Sequence, residues 1–295
     1  MASTAVERAD AGADRREPTA PARGQSLRVP GMKPPAPGSK WRIPLWTREI
    51  FFVAVLYVAY EISRGLHEGG LHAATRHGAD ILRWEQSAHL APEHVLSHAL
   101  IHLTFVAVIA SYFYSTMHYL ITPIVLVWMY RKHKADYGHA RTVLAFGTVL
   151  GLIGFYFLPT APPRLLPHSG VADVLLRVSD YGWWGGEGSV PRGLGAFTNQ
   201  FAAMPSLHVG WALWCGVLIW RHASRTWLRW LGASYPVLTT IVVVATGNHY
   251  LVDAFAGVAV MGLGLLLTVV FEGTVRRLTG PGPSHVPFDE HSFAD

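Results

Sequence analysis

Four residues in this chain have the types and spacing for chemistry on a phosphate: Arg164, His208, His249 and Asp253. His249 and Asp253 stand four apart, on one face of a helix. A carboxylate that holds one imidazole nitrogen fixes the tautomer and leaves the other nitrogen free as nucleophile or base. His208 follows Pro205 and Ser206. Proline is tolerated in a first helical turn and serine caps free N–H groups, so the two predict a helix start. Such a start binds anions through its N–H groups and dipole, and His208, about one turn in, is near enough to share a bound phosphate. Arg164 closes the string Pro159-Thr160-Ala161-Pro162-Pro163-Arg164. Its prolines end an apolar run and stiffen the exit, and a guanidinium fork fits phosphate oxygens. Each feature alone has a plainer use: a headgroup-binding arginine, a hydrogen-bonded buried histidine, a surface bond between helical neighbours. The four together, in this order, suit phosphoryl transfer.

The chain that must position them is apolar. Of its 295 residues 51% are hydrophobic and 15% are charged, against about 25% charged in an ordinary soluble domain. Long apolar runs recur from about residue 47 onward, the pattern of a helical membrane protein whose backbone must satisfy itself in hydrocarbon. The expected fold is all-α: a six-helix transmembrane bundle with an interfacial amphipathic helix and a long outer loop. The single cysteine, Cys215, excludes an intrachain disulfide and a cysteine-rich zinc site. Net charge is +5, but the basic residues sit in tails and turns, which points to membrane topology and not to nucleic acid.

Residues 1–42 read as a disordered basic cytoplasmic tail, 43–278 as the transmembrane domain, and 279–295 as a flexible C-terminal tail. Spans are expected at 50–62, within 95–131, and at 142–158, 205–220, 230–246 and 250–271. Arg131, Lys132, Lys134 and Arg141, then Arg221, Arg225 and Arg229, then Arg276 and Arg277 mark cytoplasmic turns. With the N-terminus also cytoplasmic, 95–131 must cross once, its first part lying along the outer surface, with a bend near Pro123. Residues 66–92 read as the interfacial helix, with Leu71, Ala74, Gly78, Ile81, Leu82 and Glu85 on one face. Residues 159–204 form the outer loop, with a short helix expected at about 170–179. Arg164, His208, His249 and Asp253 then share the extracytoplasmic side.

The strings PTAPPRLLP, FAAMPSLHVGWALW and TGNHYLVDAFAG carry a resemblance. In order and spacing they are similar to the three signature motifs of the type-2 phosphatidic acid phosphatase superfamily, and they look most like its inositol-phosphotransferase branch, which includes inositol phosphorylceramide synthases. The resemblance covers about residues 45–272. Two cations of the superfamily's motifs are replaced here, by Phe157 in the first motif and by Val242 and Val243 in the third. Leu165 stands where the first motif has a proline. The resemblance implies a lipid phosphatase or phosphotransferase without metal or other cofactor. His249 would be the nucleophile and form a phosphohistidine. Asp253 would orient it, His208 would act as acid and then base, and Arg164 and the helix start at Ser206 would bind the phosphate. The acceptor would be water or an inositol-like polyol.

Other residues extend this picture. His118, Tyr119 and Asn248 are candidates for a headgroup pocket. His98 and His102, four apart, leave open a histidine-rich haem or metal protein, and the buried histidines leave open a proton-coupled transporter. Trp183 and Trp184 read as interfacial anchors. The expected partners are a phospholipid or other lipid phosphate and the bilayer, with no nucleic acid. The expected location is the plasma membrane. Lipid tail and oligomeric state are not legible.

Overall fold

The structure, a computed structural model, describes residues 71–185, 188–191 and 200–279, with Thr47, Val55 and Val58 as isolated positions. Apart from Val55 and Val58, the expected first span at 50–62 lies outside the described residues, as do the N-terminal tail and the chain beyond Thr279. From residue 71 onward the described chain belongs to one compact unit, Glu49–Asp295.

Helix α1 (Leu71–Ser87) buries Ala74, Gly78, Leu82 and Glu85. These recur at helical spacing along the apolar face expected of the interfacial helix. Gly78 is needed there because a Cβ would meet the Ala161 carbonyl oxygen at 2.6 Å and the Tyr250 hydroxyl at 2.7 Å. The tract at 95–131 divides into α2 (Glu93–Ile101) and α3 (Thr104–Lys132). The break falls at His102 and Leu103, and Pro123 lies inside α3. α4 (Lys134–Phe157) starts well before the expected 142, because no proline interrupts 134–141 and Asp136 favours a first turn. α6 (Leu207–His222), α7 (Thr226–Ala245) and α8 (Leu251–Thr279) follow. α8 runs past the expected end at 271 and carries Arg276 and Arg277 in its last turn.

The chain is a helical membrane protein. α3, α4, α7 and α8 are each long and apolar enough to cross a bilayer. α6 has 16 residues and is about 24 Å long, short of the ~30 Å hydrocarbon core. The helices meet through small residues, which let backbones approach where lipid offers no hydrophobic driving force. A Cβ on Gly264 of α8 would meet the Gly147 nitrogen of α4 at 2.7 Å, and one on Gly210 of α6 would meet the Gly257 carbonyl of α8 at 3.1 Å. Gly232 of α7 and Gly216 of α6 face each other at 3.1 Å in the same sense. Met129, Val143, Trp214, Cys215 and Met261 fill the core between α3, α4, α6 and α8.

Between α4 and α6 the chain makes a short turn at Pro163–Leu165, the short helix α5 (Val174–Arg177), a further turn at Ser179–Tyr181, and a two-stranded antiparallel ribbon, β1 (Trp184–Gly185) with β2 (Gly188–Pro191). The ribbon is an addition to the all-α expectation, and α5 falls within the short helix expected there. Trp184 departs from its expected part as an anchor. It is fully buried, donates from Nε1 to the Leu175 carbonyl at 2.9 Å, and packs edge-on against Tyr112 of α3. Trp183 keeps 39% of its surface exposed.

Candidate active site

Backbone hydrogen bonds bring the three chemical segments together. Thr160 and Ala202 form a parallel bridge, with Thr160 N donating to the Phe201 carbonyl at 2.7 Å and Ala203 N to the Thr160 carbonyl at 3.2 Å. Ser206 N donates to the Asp253 carbonyl at 3.0 Å, and Arg164 N to the Gly247 carbonyl at 3.0 Å. α1 closes over them: Ala161 N donates to the Ala74 carbonyl at 3.0 Å and His77 Nδ1 to the Pro159 carbonyl at 2.9 Å. The Tyr250 hydroxyl reaches the Ala161 carbonyl at 2.8 Å. Gly247 has φ +72°, and a Cβ there would meet the Ala172 carbonyl at 2.8 Å. Only glycine makes that turn without strain.

Ser206 caps α6 as the sequence predicts, accepting from Val209 N at 3.4 Å. This puts His208 in the first turn. Its Nδ1 faces His249 Nε2 at 3.4 Å. His249 Nδ1 lies 2.8 Å from the Ala203 carbonyl and 3.3 Å from Asp253 Oδ2. A carbonyl can only accept, so Nδ1 carries the hydrogen and Nε2 is bare. The proton between the two histidines therefore sits on His208 Nδ1. Burial pushes the His249 imidazole down to about 4, so it rests neutral with a lone pair on Nε2. Asp253 is fully buried, and its Oδ2 also accepts from Tyr250 N at 2.9 Å. The expected pairing of His249 with Asp253 is present, but the Ala203 carbonyl is the shorter partner.

Arg164 is held from two sides. Nε donates to Asn248 Oδ1 at 2.9 Å and one terminal nitrogen to Asp173 Oδ2 at 2.8 Å, with only 3% of the side chain exposed. These bonds use two of the five guanidinium N–H groups. Asn248 is in turn fixed by Thr246, at 3.0 Å to the hydroxyl and 3.3 Å to the carbonyl. Its amide thus aims the arginine. His118, on α3, packs edge-on against His208 with ring centroids 4.3 Å apart. Tyr114 stacks on the other part of His208 at 4.7 Å. Tyr119 touches His118 but is 65% exposed, and it lines an apolar cavity of about 540 Å³ along α3 that ends at Arg131 and Lys132. His98 Nε2 donates to the Gly170 carbonyl at 2.9 Å, which ties α2 to the outer segment. Among the described residues no group of three or more histidine, cysteine or acidic side chains is set to hold a metal.

The sequence reasoning missed Asp173 and Glu93. Asp173 has the signature of an N-cap, standing before Val174-Leu175-Leu176, and its Oδ1 accepts from Leu176 N at 3.0 Å. Glu93 stands at the head of an apolar tract, where a carboxylate is rare enough to be noticed. It is fully buried, and its Oε1 accepts from Leu251 N at 2.8 Å. Glu85 was legible as a residue on the buried face of α1, but not its contact with Val252 N at 2.6 Å.

No curated protein and no solved structure matches the chain. A family model does match, over residues 79–267 and so over more than half of the chain; its description is the PAP2 superfamily.

Proposed function

The chain belongs to the PAP2 superfamily, a family of phosphatases and phosphotransferases acting on lipid phosphates, and from that membership we propose a membrane enzyme that works through a phosphohistidine on His249. The observation that carries the proposal is the tautomer. His249 Nδ1 is committed to Ala203 and Asp253, and its bare Nε2 looks at the protonated Nδ1 of His208. Nε2 attacks phosphorus as the bond to the lipid oxygen breaks, and His208, charged as an imidazolium once the substrate phosphate sits beside it, gives its Nδ1 proton to that oxygen and is left neutral. In the second step His208 takes a proton from the acceptor hydroxyl, oxygen attacks phosphorus, and the nitrogen–phosphorus bond breaks. Asp253 stabilises the imidazolium between the steps. Arg164 and the N–H groups at the start of α6 hold the phosphoryl oxygens as charge develops. The two facing nitrogens leave no room for phosphorus between them, so substrate must part them.

The acceptor is water or an inositol-like polyol, and the motif strings favour the polyol. The site lies on the extracytoplasmic side of a plasma-membrane protein with cytoplasmic termini and six crossings, α6 among them. This topology is supported by Arg131, Lys132 and Lys134 between α3 and α4, Arg221 and Arg225 between α6 and α7, and Arg276 and Arg277 at the end of α8. All lie at the helix ends away from His208 and His249.

The test is product analysis with purified protein on phosphomonoester and phosphodiester lipids, wild type beside His249→Ala, with and without inositol. Phosphate released by wild type and lost in the variant is expected. Diversion of product into an inositol phosphate or inositol lipid identifies transfer. Turnover that survives His249→Ala overturns the mechanism.

A further inference from the structure

α8 begins under three carboxylates. The N–H groups of Tyr250, Leu251 and Val252 go in turn to Asp253 Oδ2, Glu93 Oε1 and Glu85 Oε1. Carboxylates favour a helix N-terminus, where unpaired N–H groups and the dipole present positive charge. Three are more than that partial charge balances. Glu85 and Glu93 are both fully buried, and the second oxygen of each, Oε2, has no hydrogen-bond donor. A buried carboxylate oxygen without a donor is costly. The two carboxylates, bonded to the adjacent amides of Val252 and Leu251, interact with each other, so a single hydrogen shared between them would give both a partner.

We propose that Glu85 and Glu93 share one proton and act as a positioning pair: through the Leu251 and Val252 amides they hold the start of α8, and with it His249 and Asp253, against α1 and α2. The catalytic part of this rests on the function proposed above; the shared proton does not. Burial, then the facing Glu93, push Glu85 up from 4.5 to about 8, and burial raises Glu93 as well. The groups that bear on the pair are Asp253 and Tyr250 from α8. On the turn packed against α1, Arg164 is engaged by Asp173. α5, packed against α2, contributes Asp173 as its cap and Arg177. α3, also packed on α2, carries His118 well along its length. The α7 half nearest α2, where Val242 and Ala245 pack with Leu100, carries no charged residue; Arg229 lies in the far half.

The arrangement makes an uncommon demand on substitutions. In Glu85→Gln the amide oxygen keeps the bond from Val252 N while the amide nitrogen donates to Glu93, which reproduces the protonated partner. Glu93→Gln does the same in reverse. The double Gln variant sets two amide nitrogens face to face and has no acceptor between them.

The experiment measures thermal stability and the pH profile of kcat for the full-length protein and the variants Glu85→Gln, Glu93→Gln, both together, and Glu85→Ala. Each single Gln variant is expected to fold and to retain turnover. The double variant is expected to fall far below the product of the singles. Glu85→Ala, which leaves Val252 N and Glu93 unpaired, should lose about tenfold in kcat. The sign of the pH effect follows from the raised carboxyl. The folded state keeps a proton that the unfolded chain releases above 4.5, so this stabilisation is complete below pH 4.5 and is lost as pH rises through about 8. Wild-type Tm should decline over that window, and Glu85→Gln should flatten the decline and extend the alkaline limb of kcat. Single variants as damaging as the double, or a Tm profile that Glu85→Gln leaves unaltered, would overturn the shared proton. Altered Tm profiles with unaltered kcat profiles would overturn the positioning role alone. Absence of any turnover in wild type strikes the proposed function and leaves the Tm arm standing.

Discussion

The two ends of this helical unit are built on different principles. At the end that carries His208 and His249, the elements are joined by directed bonds between polar groups. Backbone amides meet carbonyls across 160–164, 201–206 and 247–253, and carboxylates meet helix starts. Toward the other end, contact is mainly steric, Gly147 against Gly264 and apolar side chains between α3, α4, α6 and α8, with few directed bonds such as Trp214 Nε1 to the Ala140 carbonyl at 2.9 Å. The charged contacts at that end are open ones, such as His139 with Glu272 at 3.0 Å, both partly exposed. Steric seams tolerate slip, whereas directed bonds fix atoms to fractions of an ångström. Chemistry needs the second kind of order.

Three substitutions would break or sharpen that contrast. The largest effect should come where the two kinds of contact meet. A Cβ on Gly257 runs into the Ser206 carbonyl, with the Ser206 carbonyl carbon also at 3.1 Å. Gly257→Ala should therefore cost roughly 1–3 kcal/mol of stability and, by pushing Ser206, remove most of the turnover. Wild-type kcat and Tm in that variant would show that the seam yields without moving the site. Next, Arg164→Lys loses the fork that joins Asn248 and Asp173. A fall in kcat/KM of about 10–100-fold is expected, the size of one or two charge-assisted hydrogen bonds, with Tm shifted little. A lysine variant with wild-type kinetics would reduce Arg164 to a point charge. The smallest effect belongs to Glu272→Gln, within about 0.5 kcal/mol of wild type and with unchanged kcat. If it rivals Arg164→Lys, the contrast between the ends fails.

Legibility in the sequence follows the same division. The start of α6 was readable because proline and serine mark a helix start within one turn. The His249–Asp253 pair was readable from its spacing, although the structure puts His249 in the turn before α8 and only Asp253 on the helix. The buried face of α1 was readable from its period, and the basic turns from the charges that flank apolar runs. The start of α4 was not, since basic residues mark where a membrane ends and not where a helix does. The Ala203 carbonyl had no signature at all: every residue has one, and only the tertiary path decides which reaches His249. Glu85 and Glu93 act on amides 167 and 158 residues away, a separation over which neither spacing nor periodicity carries information. Trp184 was misplaced because a tryptophan in a polar loop has the composition of an anchor, while its partner, the Leu175 carbonyl, is a backbone atom.

The bond from Ser206 N to the Asp253 carbonyl, backed by the Gly257 contact on the same residue, also sets a timescale. It clamps the origins of α6 and α8, so the helix bearing His208 and the turn bearing His249 cannot part without breaking it. On the function proposed above, the gap that a phosphoryl group needs would be opened by torsion of the His208 side chain, which lies between the rings of Tyr114 and His118. Turning one packed ring moves far fewer atoms than the microsecond-to-millisecond sliding of whole helices. Admission to the site is on that footing a matter of one imidazole turning inside a still frame.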